Sequence, residues 1–239
     1  PILANTLLSV QDGVLKLYST DLEIGIKVIL NAEVNEKGDD ITVNSKLLTE
    51  YINSLAESEI KLITEGTNLI VSNDSAKADF TTIKGKDFPK IPDISSQAPA
   101  IEIDGKELSN AIHKTVFAVS TDNSRPVLTG VLFDCHDNKL SLVAVDGYRL
   151  SKKEVKVSKL SFDSKFIVPS KVLNELSRII GDGNNIVKIF VIKIEDKISQ
   201  LVFAYDNIEI NSRVIDGEYP DYRAIIPKEH NLSFKVDRS

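Results

Sequence analysis

The stretch Val143-Ala144-Val145-Asp146-Gly147-Tyr148-Arg149-Leu150 sets a carboxylate, a phenol and a guanidinium close together in an otherwise apolar run. Two chemistries fit that set. Asp146, Tyr148 and Arg149 can act as an acid–base and anion-binding group toward a small phosphorylated or acidic substrate. Alternatively, the same side chains can edge an apolar surface on which a partner docks. The Asp-Gly pair is itself turn chemistry, because glycine accepts a positive φ and the aspartate side chain bonds the backbone ahead of it. Asp146 is therefore expected to build the turn, which leaves Tyr148 and Arg149 as the candidates for function.

Other constellations are thinner. Cys135 and His136 are adjacent, but neighbours on a strand point to opposite faces, so a thiol–imidazole dyad is not expected. His113, His136 and His230 fall on a predicted helix, a hairpin turn and a terminal loop, with no metal-ligand spacing. Neither a metal nor a cofactor is expected. The glycines of Gly181 to Asn185 follow a predicted helix instead of opening one, so they read as a C-cap and turn and not as a phosphate-binding loop.

The elements that position these residues come in two similar sets. Strands with period-two alternation surround Gln11-Asp12-Gly13, where Asp-Gly marks a hairpin. Two later segments have a helical period, each with a serine near its start. One carries Leu47, Leu48, Tyr51, Ile52 and Leu55 on one face; the other carries Val172, Leu173, Leu176, Ile179 and Ile180. Aligning the helices puts Ser45-Lys46 on Ser170-Lys171, and the offset of 125 positions then pairs Asp21 with Asp146, Leu15 and Leu17 with Leu140 and Leu142, Asp12 with Asp137 and Pro1 with Pro126. Charged and turn residues match along with apolar ones, which is the mark of a repeat. Further on the register slips by a few residues, and Ile83 to Pro89 echoes Ile215 to Pro220.

The repeat predicts domains at 1–95 and 96–227, joined near Pro89, Pro92 and Pro99, with the start of a third copy at 228–239. The second copy opens with a strand at Ala100 to Asp104. A helix follows, with Leu108, Ala111, Ile112, Thr115, Val116 and Val119 on its buried face. The first copy contains no such pair, so it is expected to lack its opening strand and helix and to expose an apolar scar. The absence of methionine and the start at Pro1 point the same way.

Of 239 residues, 42% are hydrophobic and 27% charged, an ordinary globular balance. No apolar run approaches the roughly eighteen residues of a membrane span. A single cysteine and the lack of a signal peptide make a cytoplasmic location the expectation. The net charge of −6 argues against a protein that grips nucleic acid through bulk electrostatics.

Read together, S-R-P-V-L-T-G, V-D-G-Y-R-L and Y-P-D-Y-R in the second copy resemble the middle domain of the bacterial sliding clamp, the beta subunit of DNA polymerase III. The first copy resembles that family's first domain. The resemblance implies an α+β fold of repeated DNA-clamp domains, each with two helices packed on curved antiparallel sheets. It also implies a non-catalytic processivity factor: a homodimeric ring around duplex DNA that tethers polymerase subunits, the clamp loader and repair factors by short linear peptides. A ring holds DNA by enclosure, so an acidic chain with a positive bore fits it.

Lys171 and Arg178, seven residues apart, project from one side of the second helix about 10 Å apart along its axis. Together with Lys46, Lys106, Lys114 and Arg125 they form the expected DNA-facing set. The peptide groove, carried over from the family, comprises Leu128, Val145, Gly147, Tyr148, Arg149, Leu150, Pro220 and Ile225. Two departures stand out: Val145 replaces the family's usual Thr, and Ala224 stands where a second Arg is frequent. In the family the third domain completes both the groove and one ring interface.

Overall fold

The computed structural model of the chain describes residues 2–237 apart from 12, 37, 57, 228 and 230. The first repeat contains β1 (Asn5–Gln11), β2 (Val14–Thr20), β3 (Ile24–Asn31), β4 (Ile41–Asn44), α1 (Ser45–Ser54), β5 (Lys61–Glu65), β6 (Asn68–Ser72), β7 (Lys77–Thr81) and β8 (Ile83–Lys84). The second opens with β9 (Ile101–Asp104) and α2 (Gly105–His113). It continues through β10 (Gly130–His136), β11 (Lys139–Val145), β12 (Leu150–Lys156), β13 (Lys159–Leu160), β14 (Ser164–Pro169), α3 (Ser170–Ile180), β15 (Ile186–Ile194), β16 (Lys197–Tyr205), β17 (Ile208–Arg213) and α4 (Tyr222–Ile225). The 125-residue offset carries both ends of β1 onto β10, both ends of β2 onto β11, and the start of α1 onto that of α3.

Strand periodicity explains how one segment serves two cores. In β11, Leu140, Leu142 and Ala144 point into the main core beneath α2 and α3, where Leu108, Ile112, Leu173 and Leu176 are fully buried. The alternate residues Val143 and Val145 point to the other face and pack in a smaller cluster with Leu132, Ile167 and Tyr222. Successive side chains of a strand must face opposite ways, so a strand covered on both faces reads as a continuous apolar run. Each fully buried leucine or isoleucine contributes about 1.5–3 kcal/mol.

Among the described residues all sheet pairing is antiparallel, and one sheet crosses from repeat to repeat. Its order is β13-β9-β15-β16-β17-β3-β2-β1-β4-β8, and the joint is the β17–β3 ladder, from Ile208 opposite Val28 to Ser212 opposite Ile24. Lys27 and Glu209 face each other in that register and form an ion pair with side chains only 9% and 14% exposed. A one-residue slip would flip every side chain of the strand and separate these two charges. The remaining sheets are β12-β11-β10-β14 and β5-β6-β7.

Several expectations are corrected. The helix expected to run to Val119 stops at His113, because Thr115 Oγ1 bonds back to the carbonyls of Ala111 and Ile112 and competes with the ladder. A short 3-10 turn then buries Ala118, while Val116 and Val119 stay half-buried. In α1, Leu47 is 55% exposed and Ile52 is exposed as well. Their counterparts on α3, Val172 and Ser177, are buried, and Ser177 Oγ bonds Ser109 Oγ of α2 and His113 Nε2 at 2.9 Å each. No described residue of the first repeat plays the part of α2. The serines are first helical residues, not caps: Asn44 caps α1 by accepting the Leu47 N–H, and Pro169 precedes α3 without a side-chain cap. Residues 231–237, expected to begin a third copy as a strand, hold no regular element, and Leu232, Phe234 and Val236 are exposed.

Candidate functional site

The turn after β11 is built by Asp146. Its Oδ1 accepts the N–H groups of Arg149 and Tyr148 at 2.8 and 2.9 Å, and Gly147 takes φ +96°. Those two N–H groups, Arg149's foremost, hold the Asp146 carboxyl down at about 2. Its Oδ2 accepts Arg149 Nε at 2.9 Å. Arg149 Nη2 also donates to the Phe117 carbonyl at 3.1 Å, with the guanidinium 5.9 Å above the Phe117 ring. Both Asp146 oxygens are thus engaged, and Arg149 acts as a strut across the turn, which leaves neither free for acid–base work. Tyr148 is 98% exposed.

The opposite wall comes from residues 214–225. Ile215 forms a bridge with Ile167 of β14, and α4 is held by Asp134, a buried carboxylate of β10. Asp134 Oδ2 accepts Tyr222 Oη at 2.8 Å and Arg223 Nη2 at 2.9 Å, and Lys165 lies 3.9 Å away. Tyr219 reaches the first wall: its Oη accepts the Val145 N–H at 3.0 Å and donates to the Val143 carbonyl at 3.3 Å. Burial pushes the Tyr219 phenol up to about 12.

Among the eight groove candidates, Val145 and Leu150 meet in one apolar cluster with Tyr219, Tyr222, Ile167 and Val127. Leu128 is buried outside it, because the 3-10 turn Pro126–Thr129 turns Leu128 inward and offers Val127 to the cluster instead. Gly147, Tyr148, Arg149, Pro220 and Ile225 are exposed. Pro220 also edges a concavity of about 900 Å³ between β14, the β15–β16 hairpin and residues 214–223; the other seven candidates do not line it. Sequence reasoning missed Phe117, Asp134 and Tyr219. The only trace of the last was an aromatic beside Pro220.

The basic set divides in two. Lys171 Nζ pairs with Asp21 at 2.6 Å, Arg178 with Glu175 at 2.7 Å and Lys46 with Glu50 at 3.8 Å. Lys106, Lys114 and Arg125 are exposed, with no ion pair among the described residues. His136, read as an isolated turn residue, instead meets two carboxylates: Nδ1 lies 2.7 Å from Asp163 and Nε2 3.2 Å from Asp137, and all three residues are exposed. Asp163 is 27 positions away, which hides the cluster from local spacing. Cys135 is buried on the other face and burial pushes its thiol up to about 12, well away from nucleophile chemistry. His230 lies outside the described residues. Among the described residues no helix is long and apolar enough to cross a membrane.

Two copies of one α+β unit joined edge to edge through a shared sheet define a tandem clamp-type fold. Comparison with known proteins makes this specific. Residues 1–92 match the N-terminal domain of the DNA polymerase III beta subunit and residues 102–221 its central domain. The chain belongs to the DNA polymerase III beta subunit family. A beta sliding clamp of Halalkalibacterium halodurans is 30% identical over 248 residues, and one of Staphylococcus epidermidis 28% identical over 246, each alignment covering 99% of this chain and 63% of the relative. The crystal structure of a DNA polymerase sliding clamp from Bacillus subtilis superposes with a TM-score of 0.86 at 26% identity, covering 96% of this chain and 61% of that one. A DNA polymerase III beta subunit structure from Eubacterium rectale gives 0.87 at 27% identity, with 96% and 61% coverage. The chain therefore spans just under two thirds of the length of these relatives.

Proposed function

We propose that the chain forms two domains of a sliding clamp, a non-catalytic, cytoplasmic processivity factor that encloses duplex DNA as a homodimeric ring and tethers polymerase subunits, clamp loader and repair factors. The observation that carries the reading is the edge-to-edge joint. β3 of one repeat pairs with β17 of the next. β12, the counterpart of β3, leaves its outer edge unpaired among the described residues, as does β7, the counterpart of β17. A unit with one edge of each kind adds further units by the same rotation, and head-to-tail contacts of this kind give a ring where the rotation closes.

Lys46, Lys106, Lys114, Arg125, Lys171 and Arg178 serve this reading as the DNA-facing set. Few phosphate contacts per domain make binding weak, blind to sequence and steeply salt-dependent, as sliding requires. The walls at 145–150 and 219–225 serve as the peptide groove, with Leu150 and Pro220 offering apolar contact and Tyr148 a free polar edge. The test is topological. Loaded on nicked circular duplex, the intact protein stays until the circle is cut and then leaves over the ends. Equal retention on circular and linear DNA discards enclosure.

A further inference from the structure

The register of β10 with β11 breaks off where the groove begins. Leu132 pairs with Val143, so two residues further along Val145 stands opposite Gly130. Gly130, however, is drawn toward β14: it pairs with Pro169, and a Cβ on it would lie 2.7 Å from both Ile167 and Ile215. The β10–β11 pairing ends at Leu132 and Val143, so Val145 has no paired partner in β10. Tyr219 Oη fills the gap, accepting that N–H at 3.0 Å and donating to the Val143 carbonyl at 3.3 Å. A phenol thus stands in for a strand at the mouth of the sheet, one residue before the Asp146 turn.

We propose that Tyr219 is a positioning residue for the peptide groove: its hydroxyl latches the 214–225 wall to the end of β11 and so presets the turn carrying Tyr148 and Leu150 before a partner arrives. The inference rests on the groove reading above. An unpaired N–H beside an apolar cluster would draw in water and loosen the turn. The latch removes that motion in the free protein, so less ordering remains for the bound state. The ring of Tyr219 also packs with Leu150 and Val145, so hydroxyl and ring act separately.

Tyr219→Phe keeps the ring and deletes both hydrogen bonds. In an anisotropy titration of the intact protein with a fluorescent peptide of the Gln-Leu-x-Leu-Phe type, the variant should bind about fivefold more weakly, mostly through faster dissociation. Exchange of the Val145 amide should accelerate about tenfold or more while amides of β15 and β16 keep their wild-type rates. Ile189→Val, a core change remote from the groove, is the control for general loosening and should leave peptide affinity intact. Equal peptide affinity in wild type and Tyr219→Phe overturns the latch, as does an equal loss in Ile189→Val. Failure of the wild type itself to bind, or unaltered binding after Tyr148→Ala with Leu150→Ala, overturns the groove reading and the latch with it.

Discussion

Lys171 Nζ donates to Asp21 Oδ2 across 2.6 Å, tying the first turn of α3 to the turn after β2 in the other repeat. Asp21 is the repeat counterpart of Asp146. Each uses Oδ1 to accept two N–H groups of its own turn, Asp21 from Glu23 and Ile24, and each gives Oδ2 to a cation. The cations differ in reach. Arg149 braces the same turn, whereas Lys171 lies 150 positions away. Burial pushes the Asp21 carboxyl up, but the Ile24 N–H and the Lys171 ammonium outweigh it and hold the group below the ordinary range.

On the DNA-facing reading the pair sets a competition, because a phosphate that approaches Lys171 meets Asp21 already on its ammonium. Asp21→Asn keeps the Oδ1 acceptor and the turn while releasing the ammonium. Non-specific duplex affinity of the intact protein should rise about twofold, since an exposed pair is weak. The log–log salt slope should steepen by about 0.9, the contribution of one added phosphate contact. An unchanged slope in anisotropy titrations between low and physiological salt would remove Lys171 from the DNA-facing set.

Asp146 makes the turn after β11 acid-sensitive in a narrow window. Its carboxyl sits at about 2 in the folded chain, below the roughly 3.9 of an unfolded aspartate. The depressed value means that the stabilising contribution is complete above about pH 4 and is lost as pH falls through about 2. Carbon-detected titration of the Asp146 carboxylate should therefore show a midpoint near 2. Asp146→Asn should remove that step while Oδ1 keeps the turn. A midpoint near 4 would mean that the Arg149 and Tyr148 N–H groups do not bond it in solution.

Asp134 is the anchor of the second wall. Asp134→Ala strands a buried phenol and removes the acceptor for Arg223, at a cost of about 2 kcal/mol. Tyr222→Phe removes one bond and should cost about half of that. Urea unfolding measures both, and amide exchange should localise the loosening to residues 214–225. A loss below about 0.5 kcal/mol for Asp134→Ala would show that the wall is held by Tyr222 packing alone.

What was legible in the sequence follows from how far apart the determining residues lie. The hairpins, α1 and α3 are local patterns of period two or 3.6, the repeat is those patterns recurring at a constant offset, and Asp146–Gly147 is a turn written in adjacent residues. The end of α2 was not legible, because Thr115 bonding back to Ala111 competes with a helical pattern that continues past it. Tyr219, Asp134 and Phe117 act across 74, 89 and 32 positions, in contacts that no local period encodes. The basic set was legible as residue types, but the carboxylate facing Lys171 belongs to the other repeat.

The repeat also predicts a stabilising substitution. Leu22 is the counterpart of Gly147 and takes φ +76°, while Gly147 takes +96°. A leucine held in the left-handed region costs about 1–2 kcal/mol, and Leu22 is 53% exposed, so little burial offsets it. Leu22→Gly relieves the strain but gives the unfolded chain more freedom, an opposing effect of roughly 0.4–1 kcal/mol. The net expectation is a gain of about 0.5 kcal/mol, read as a higher urea midpoint at constant slope. The reciprocal change Gly147→Leu should destabilise and weaken peptide docking together. A drop in stability for Leu22→Gly would mean that the Leu22 side chain makes contacts in solution worth more than the strain it carries.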